Sequence, residues 1–152
     1  MLRQLLVGAA VSVGNIAIHA LVAATVVQIL SRMARANHPV QQSMRSTIVM
    51  IAMVSVATVP VLMAAHFSEV LVWALTYAIV GAAPAGADPV YFAFVNYTTL
   101  GYGDVIPVQR WQLLGPITAM NGVLMFGWST AVIFEVLRRT MRRQFAAAPK
   151  LR

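Results

Sequence analysis

The sequence predicts an all-α membrane protein with three transmembrane helices and one shorter re-entrant helix. Three observations carry that prediction. Of the 152 residues, 60% are hydrophobic and only 10% are charged, against roughly 25% charged in an average soluble domain. A water-exposed fold of this size leaves too much surface to hide so many apolar side chains, which argues against a soluble enzyme or a DNA-binding module. Three long stretches, 5–30, 47–81 and 112–137, hold between them two formal charges, Glu69 and Glu135, and about 20 apolar residues suffice to cross a bilayer. Between the second and third stretches lies a segment too broken for a fourth crossing that nevertheless contains a short aromatic run.

The first stretch is long enough to span with some tilt. The second has 35 residues, which is about 50 Å of helix at 1.5 Å per residue. That is too long for one straight crossing and too short for two, so it predicts one helix with an end projecting past the hydrocarbon and a bend at Pro60. The third again spans once. Arg32, Arg35 and Arg45 follow the first span, and Arg138, Arg139, Arg142, Arg143, Lys150 and Arg152 follow the third, while Arg3 and Arg110 lie on the opposite side. Nine basic residues against two put the 31–46 loop and the C-terminus in the cytoplasm and the N-terminus outside. The net charge of +7 is therefore a topology signal and not a nucleic-acid footprint. A signal peptide cleaved after residues 1–24 is the competing reading of the N-terminus, and the downstream arginines favour a retained anchor. The absence of cysteine excludes disulfides and thiolate metal sites.

The intervening segment, 82–111, starts with a turn, Ala82-Ala83-Pro84-Ala85-Gly86-Ala87. Asp88-Pro89 then supplies an N-cap residue followed by proline at the first helical position. The run from Val90 through Tyr91, Phe92, Ala93, Phe94, Val95, Asn96 and Tyr97 to Thr98 is long enough for about 15 Å of helix, half of a 30 Å hydrocarbon core. It ends at Gly101-Tyr102-Gly103-Asp104, where glycines break a helix and open unusual dihedrals.

The segment Thr98-Thr99-Leu100-Gly101-Tyr102-Gly103-Asp104 resembles the selectivity filter of the potassium channel superfamily, with Leu100 in the place the family gives to valine. The resemblance covers residues 47–138 and implies a pore module of outer helix, pore helix, filter and inner helix. Residues 1–46 then form an N-terminal transmembrane helix and cytoplasmic loop, and 139–152 a short basic cytoplasmic tail. By this resemblance the permeant K+ is coordinated by the carbonyls of Thr99, Leu100, Gly101 and Tyr102 and by the Thr99 hydroxyl. Successive carbonyls can point the same way only if dihedrals alternate in hand, which Gly101 and Gly103 permit. Thr98 and Asp104 support the filter, with Tyr91 and Phe92 as candidate partners for an outward-pointing Tyr102. Some family members pair the filter aspartate with a buried glutamate, but Val95 stands at that position here, so Asp104 must find another partner in Tyr91, Trp111 or water. One chain supplies a quarter of a filter, which implies a homotetramer with fourfold symmetry.

Several residues carry alternative readings. Gly122, with Gly115 and Gly127 on the same span, is a candidate gating hinge by the resemblance, or else a site of close helix packing. Glu135 either joins a cation-concentrating ring or pairs with Arg138 and Arg139 at i+3 and i+4. His66 and Glu69 share a face and are expected at the outer interface, solvated or in helix contact. Ser12, Asn15 and His19 form a polar stripe that reads as a docking face for the second span or a neighbouring subunit. No acidic residue lies on that first span, so a metal site is not expected there. Arg138, Arg139, Arg142 and Arg143 suit anionic lipid head groups.

The expected function is passive, K+-selective conduction across a bacterial-type inner or plasma membrane. No cofactor is expected beyond the permeant ion, and neither is nucleic-acid binding. No enzyme is expected, because the sequence displays no nucleophile–base pair, metal cluster or phosphate loop. It shows no voltage sensor, since no span carries regularly spaced arginines, and no cytoplasmic ligand domain is expected. The alternatives are a non-selective cation channel and a non-conducting subunit of a larger transporter.

Overall fold

A computed structural model describes the backbone of residues 1–36 and 44–146, with side chains except those at 30–31, 33–36, 44–47 and 143–146. Among the described residues the secondary structure is helical: α1 (Leu2–Ala36), α2 (Met44–Val80), α3 (Pro89–Tyr97), a short 3-10 turn (Gln109–Trp111) and α4 (Leu114–Ala146). Three stretches, Leu2–Ile29, Ile48–Val80 and Gln109–Arg142, are long and apolar enough to cross a membrane. α2 continues unbroken through Pro60, which its 37 residues and the surrounding apolar run tolerate. The expected 31–46 loop is shorter than predicted, since α1 runs to Ala36 and α2 starts at Met44; residues 37–43, the side chains of Arg35, Arg45 and Arg143, and residues 147–152 lie outside the described residues.

The chain divides into two compact units. The first comprises Met1–Ala20 and Ala64–Gly127. Its core is aromatic: Trp73, Tyr77, Phe92 and Tyr97 are completely buried, with Val70, Trp111, Leu114 and Met125 beside them. Tyr77 stacks against Phe92 with ring centroids 4.8 Å apart and against Trp73 at 6.0 Å. Hydrogen bonds between helices run through the same core. The Asn15 amide donates to Asn121 Oδ1 at 3.0 Å, the Trp73 indole donates to the same oxygen at 3.0 Å, and the Tyr77 and Thr118 hydroxyls are hydrogen-bonded to each other at 2.6 Å. The polar stripe on α1 is thus a docking face, but it meets α4 as well as α2: the Asn15 amide also reaches the Glu69 carbonyl at 3.4 Å. The N-terminal end of α1 is fixed to α4 where Gln4 Oε1 accepts from the Leu113 N–H at 2.8 Å and the Arg3 guanidinium lies over the Trp111 ring.

The second unit comprises Leu21–Met63 and Trp128–Arg152. Among its described residues the buried apolar cluster is thin and aliphatic, made of Ala23, Val26, Leu62, Val132 and Val136. Hydroxyls here turn back onto their own helices: Thr25 donates to the Leu21 carbonyl, Ser55 to Ile51, Thr58 to Val54 and Thr140 to Val136. Large apolar side chains such as Ile48, Met53, Val56 and Phe134 stand more than 60% exposed, which suits a hydrocarbon solvent.

Candidate functional site

The site is built on α3. Asp88 caps the helix, its Oδ1 accepting from the Val90 N–H at 2.8 Å, with Pro89 at the first helical position. This is the start that the Asp-Pro pair predicts. The inner face of α3, Phe92, Ala93, Val95 and Tyr97, is buried, so the core of the first unit sets the helix direction. At its end the Thr98 N–H donates to the Phe94 carbonyl at 2.9 Å, Thr99 N–H to Asn96 at 3.1 Å and Leu100 N–H to Val95 at 3.0 Å. The Thr98 hydroxyl also returns to the Phe94 carbonyl at 2.7 Å.

Beyond that last turn the backbone alternates. Thr99, Gly101 and Gly103 have φ of +59°, +58° and +80°. Positive φ at every second residue turns consecutive carbonyls toward the same side, and glycine allows it without a Cβ clash at two of the three positions. Thr99 is the only non-glycine residue with positive φ among the described residues, a conformation that costs an L-residue roughly 1–2 kcal/mol. The whole run from Thr98 to Asp104 is exposed in the single chain, with Leu100 at 50% and Tyr102 at 70%.

The supporting residues separate. Tyr91 donates its hydroxyl to Asp104 Oδ2 at 2.7 Å. Of the three partners open to Asp104, Tyr91 is the one it meets, and the bond to this carboxylate holds the Tyr91 hydroxyl above its ordinary pKa. Trp111 is instead buried beneath Arg3. Phe92 does not stand at the exposed surface with Tyr102 but lies fully buried on Tyr77, because α3 turns that face into the core. Gly122 meets the end of α3: a Cβ built there would collide with the Tyr97 carbonyl oxygen. Gly115 is similarly close to the Asn96 side chain at 3.0 Å, whereas Gly127 has open space around it. Close packing therefore accounts for the glycine at 122. Glu135 pairs with both following arginines, Arg138 Nε at 2.8 Å and Arg139 Nε at 2.6 Å, and Arg138, Arg139 and Arg142 are exposed.

Of the two readings of His66 and Glu69, the structure shows helix contact and not solvation: Glu69 is completely buried and His66 is 8% exposed. Glu69 Oε1 lies 2.8 Å from His19 Nδ1, Oε2 lies 3.4 Å from His66 Nδ1, and the Tyr97 hydroxyl donates a short hydrogen bond to Oε2. The same hydroxyl is 3.0 Å from His66 Nδ1. The i,i+3 spacing and the stripe on α1 both pointed to these residues. What sequence lacks is the helix across the way, since Tyr97 arrives from α3. Nor does the absence of an acidic residue on α1 exclude a metal-binding group there, because α2 supplies the carboxylate and His19, His66 and Glu69 have ligand atoms within 4.8 Å of one another.

A protein-family model described as "Ion channel" matches residues 65–139, from the middle of α2 through α3 and the alternating segment to the basic end of α4. No curated protein and no solved structure is matched.

Proposed function

Starting from a membrane chain that belongs to the ion-channel family over residues 65–139, we propose that four copies assemble around a common axis into a K+-selective pore, with residues 98–104 as its filter. The observation that carries this reading is the alternation of positive φ at Thr99, Gly101 and Gly103. A K+ ion entering a narrow pore must exchange its water for other oxygens, and rings of backbone carbonyls provide them. One strand offers one carbonyl per ring, so a single chain cannot surround an ion. The exposure of residues 98–104 fits this need, because non-helical backbone at membrane depth is tolerated only against protein or a water-filled cavity.

In this reading Thr99, Leu100, Gly101 and Tyr102 supply the coordinating carbonyls and Thr99 adds its hydroxyl. Tyr91 steadies the outer mouth through Asp104, and the partly negative C-terminal end of α3 gives the space below the filter a potential that favours a cation. Bending of α4 at Gly122 would be a second property of a residue that already packs tightly. With the N-terminus outside, Glu135 and its arginines lie at the cytoplasmic end, where the ion pairs blunt any ring of negative charge and the arginines meet anionic lipids.

The test is flux and reversal potential of the purified protein in liposomes under opposed K+ and Na+ gradients. Potassium selectivity is expected in the native chain, and Gly101→Ala or Gly103→Ala should abolish it, since an added methyl opposes positive φ. Equal permeability to both ions would leave a non-selective cation channel, and the absence of flux from homogeneous tetramers would leave a non-conducting subunit.

A further inference from the structure

We propose that His19, His66 and Glu69 form a binding site for a divalent transition metal of the zinc type, set behind the pore helix. The three side chains come from two helices, α1 and α2, and converge inside the first unit. His19 and Glu69 are completely buried and His66 is 8% exposed. Around a tetrahedral zinc ion bound at about 2.0–2.2 Å, ligand atoms sit roughly 3.3–3.5 Å from one another. Here one imidazole nitrogen is 2.8 Å and the other 3.4 Å from an oxygen of the same carboxylate, and the three ligand atoms fall within 4.8 Å. The two contacts are to different oxygens of the carboxylate, and adjustments of up to about 1.5 Å bring one ligand atom from each residue onto a common ion. The Tyr97 oxygen, 3.0 Å from His66 Nδ1, stands beside the fourth position, which it or a water would fill.

The donor set selects the metal. Two imidazoles and one carboxylate suit zinc, cobalt or nickel, whereas K+, Mg2+ and Ca2+ prefer oxygen alone. The electrostatics agree. A carboxylate buried in a membrane is expensive unless compensated, and a divalent ion on Glu69 compensates it more fully than neutral hydrogen-bond donors do. Binding requires a lone pair on each Nδ1. A neutral histidine achieves this by carrying its proton on Nε2, with no net release, and a protonated one by losing a proton to solvent.

The site would act on the pore through Tyr97. Its hydroxyl touches Glu69 and His66, its carbonyl meets Gly122, and it precedes Thr99 by two residues. A bound ion would cross-link α1 to α2 and fix the carboxylate on which the end of α3 rests. This effect on flux rests on the pore reading. The binding itself does not.

The experiment is a titration of the purified full-length protein, freed of metal with a chelator, first with Co2+ and then with Zn2+. The expected result is one Co2+ per chain with the strong visible absorption of a four-coordinate ion, bleached by Zn2+. Affinity should fall at least about tenfold in His19→Gln, His66→Gln and Glu69→Gln, in keeping with the loss of a ligand, and stay unchanged in Glu135→Gln. No stoichiometric binding in the native chain, a weak six-coordinate spectrum, or binding indifferent to His19→Gln and His66→Gln would each overturn the site, the first without depending on any variant's folding. K+ flux measured with chelator present separates the two readings: flux without metal binding overturns the site and leaves the pore, whereas metal binding without flux upholds the site and removes the pore.

Discussion

The two units of the chain are made from the same three long helices yet are held by different forces. The first buries Trp73, Tyr77, Phe92 and Tyr97 together with Asn15, His19, Glu69, Thr118 and Asn121, and its helices exchange hydrogen bonds across α1, α2, α3 and α4. The described part of the second buries a thin aliphatic cluster together with Thr58 and Ser129, and the hydroxyls of Thr25, Ser55 and Thr58 bond within their own helices. In a bilayer, lipid tails solvate leucine and valine as well as a neighbouring helix does, so association depends on close packing and on polar contacts. The unit that carries the filter segment has both. The described part of the other has the thinner, aliphatic core. Fixed geometry is needed where backbone carbonyls must replace water.

The sharpest way to break this contrast is to remove the polar hub of the first unit. Glu69→Ala removes the buried carboxylate on which His19, His66 and the Tyr97 hydroxyl converge. Taking one partner out of a buried polar cluster costs about 3 kcal/mol, so a lowered melting temperature of the metal-free protein in detergent is expected. A variant as stable as the native chain would show that the hub is not what holds this unit together.

A smaller loss is expected at Gly122. The atom facing it is the carbonyl oxygen of Tyr97, part of the backbone, so it cannot rotate away as a side chain would. Gly122→Ala should cost about 1–3 kcal/mol by overpacking. Gly14→Ala, where nothing stands within 4 Å, should be neutral or slightly stabilising because alanine favours the helix. Equal melting temperatures for the two variants would deny the contact between α4 and α3 its role.

These residues also mark how far the sequence could be read. The short helix was legible to within a residue, because Asp88 and Pro89 have local consequences that no tertiary contact overrides. The spans were legible in number but underestimated in length: α4 runs to Ala146, past the apolar stretch ending at 137, because arginines continue a helix readily while lowering hydropathy. Glu69 was the opposite case. Its spacing from His66 was plain, but its burial depends on Tyr97 and His19, each far away in the chain. The close approach at Gly122 was one of two readings for the same reason, since a glycine in a helix says that something is near without saying what. Positive φ at Thr99 was not legible, because threonine has no preference for that region and the turn closing α3 imposes it.

The last prediction turns to the second unit. Glu135 has the shortest ion pairs among the described residues, to Arg138 and Arg139, each at 2.6 Å, so distance alone would make it the strongest feature of the molecule. Exposure argues otherwise. Both arginine side chains are about half exposed, 47% and 50%, and water and salt screen charges in such a position. Glu135→Gln should therefore shift the melting temperature far less than Glu69→Ala, and the shift should vanish at high salt. If it instead matched the Glu69 effect, short charge pairs at a helix end would rival a buried polar hub, and the contrast between the two units would have to be drawn in charge and not in burial.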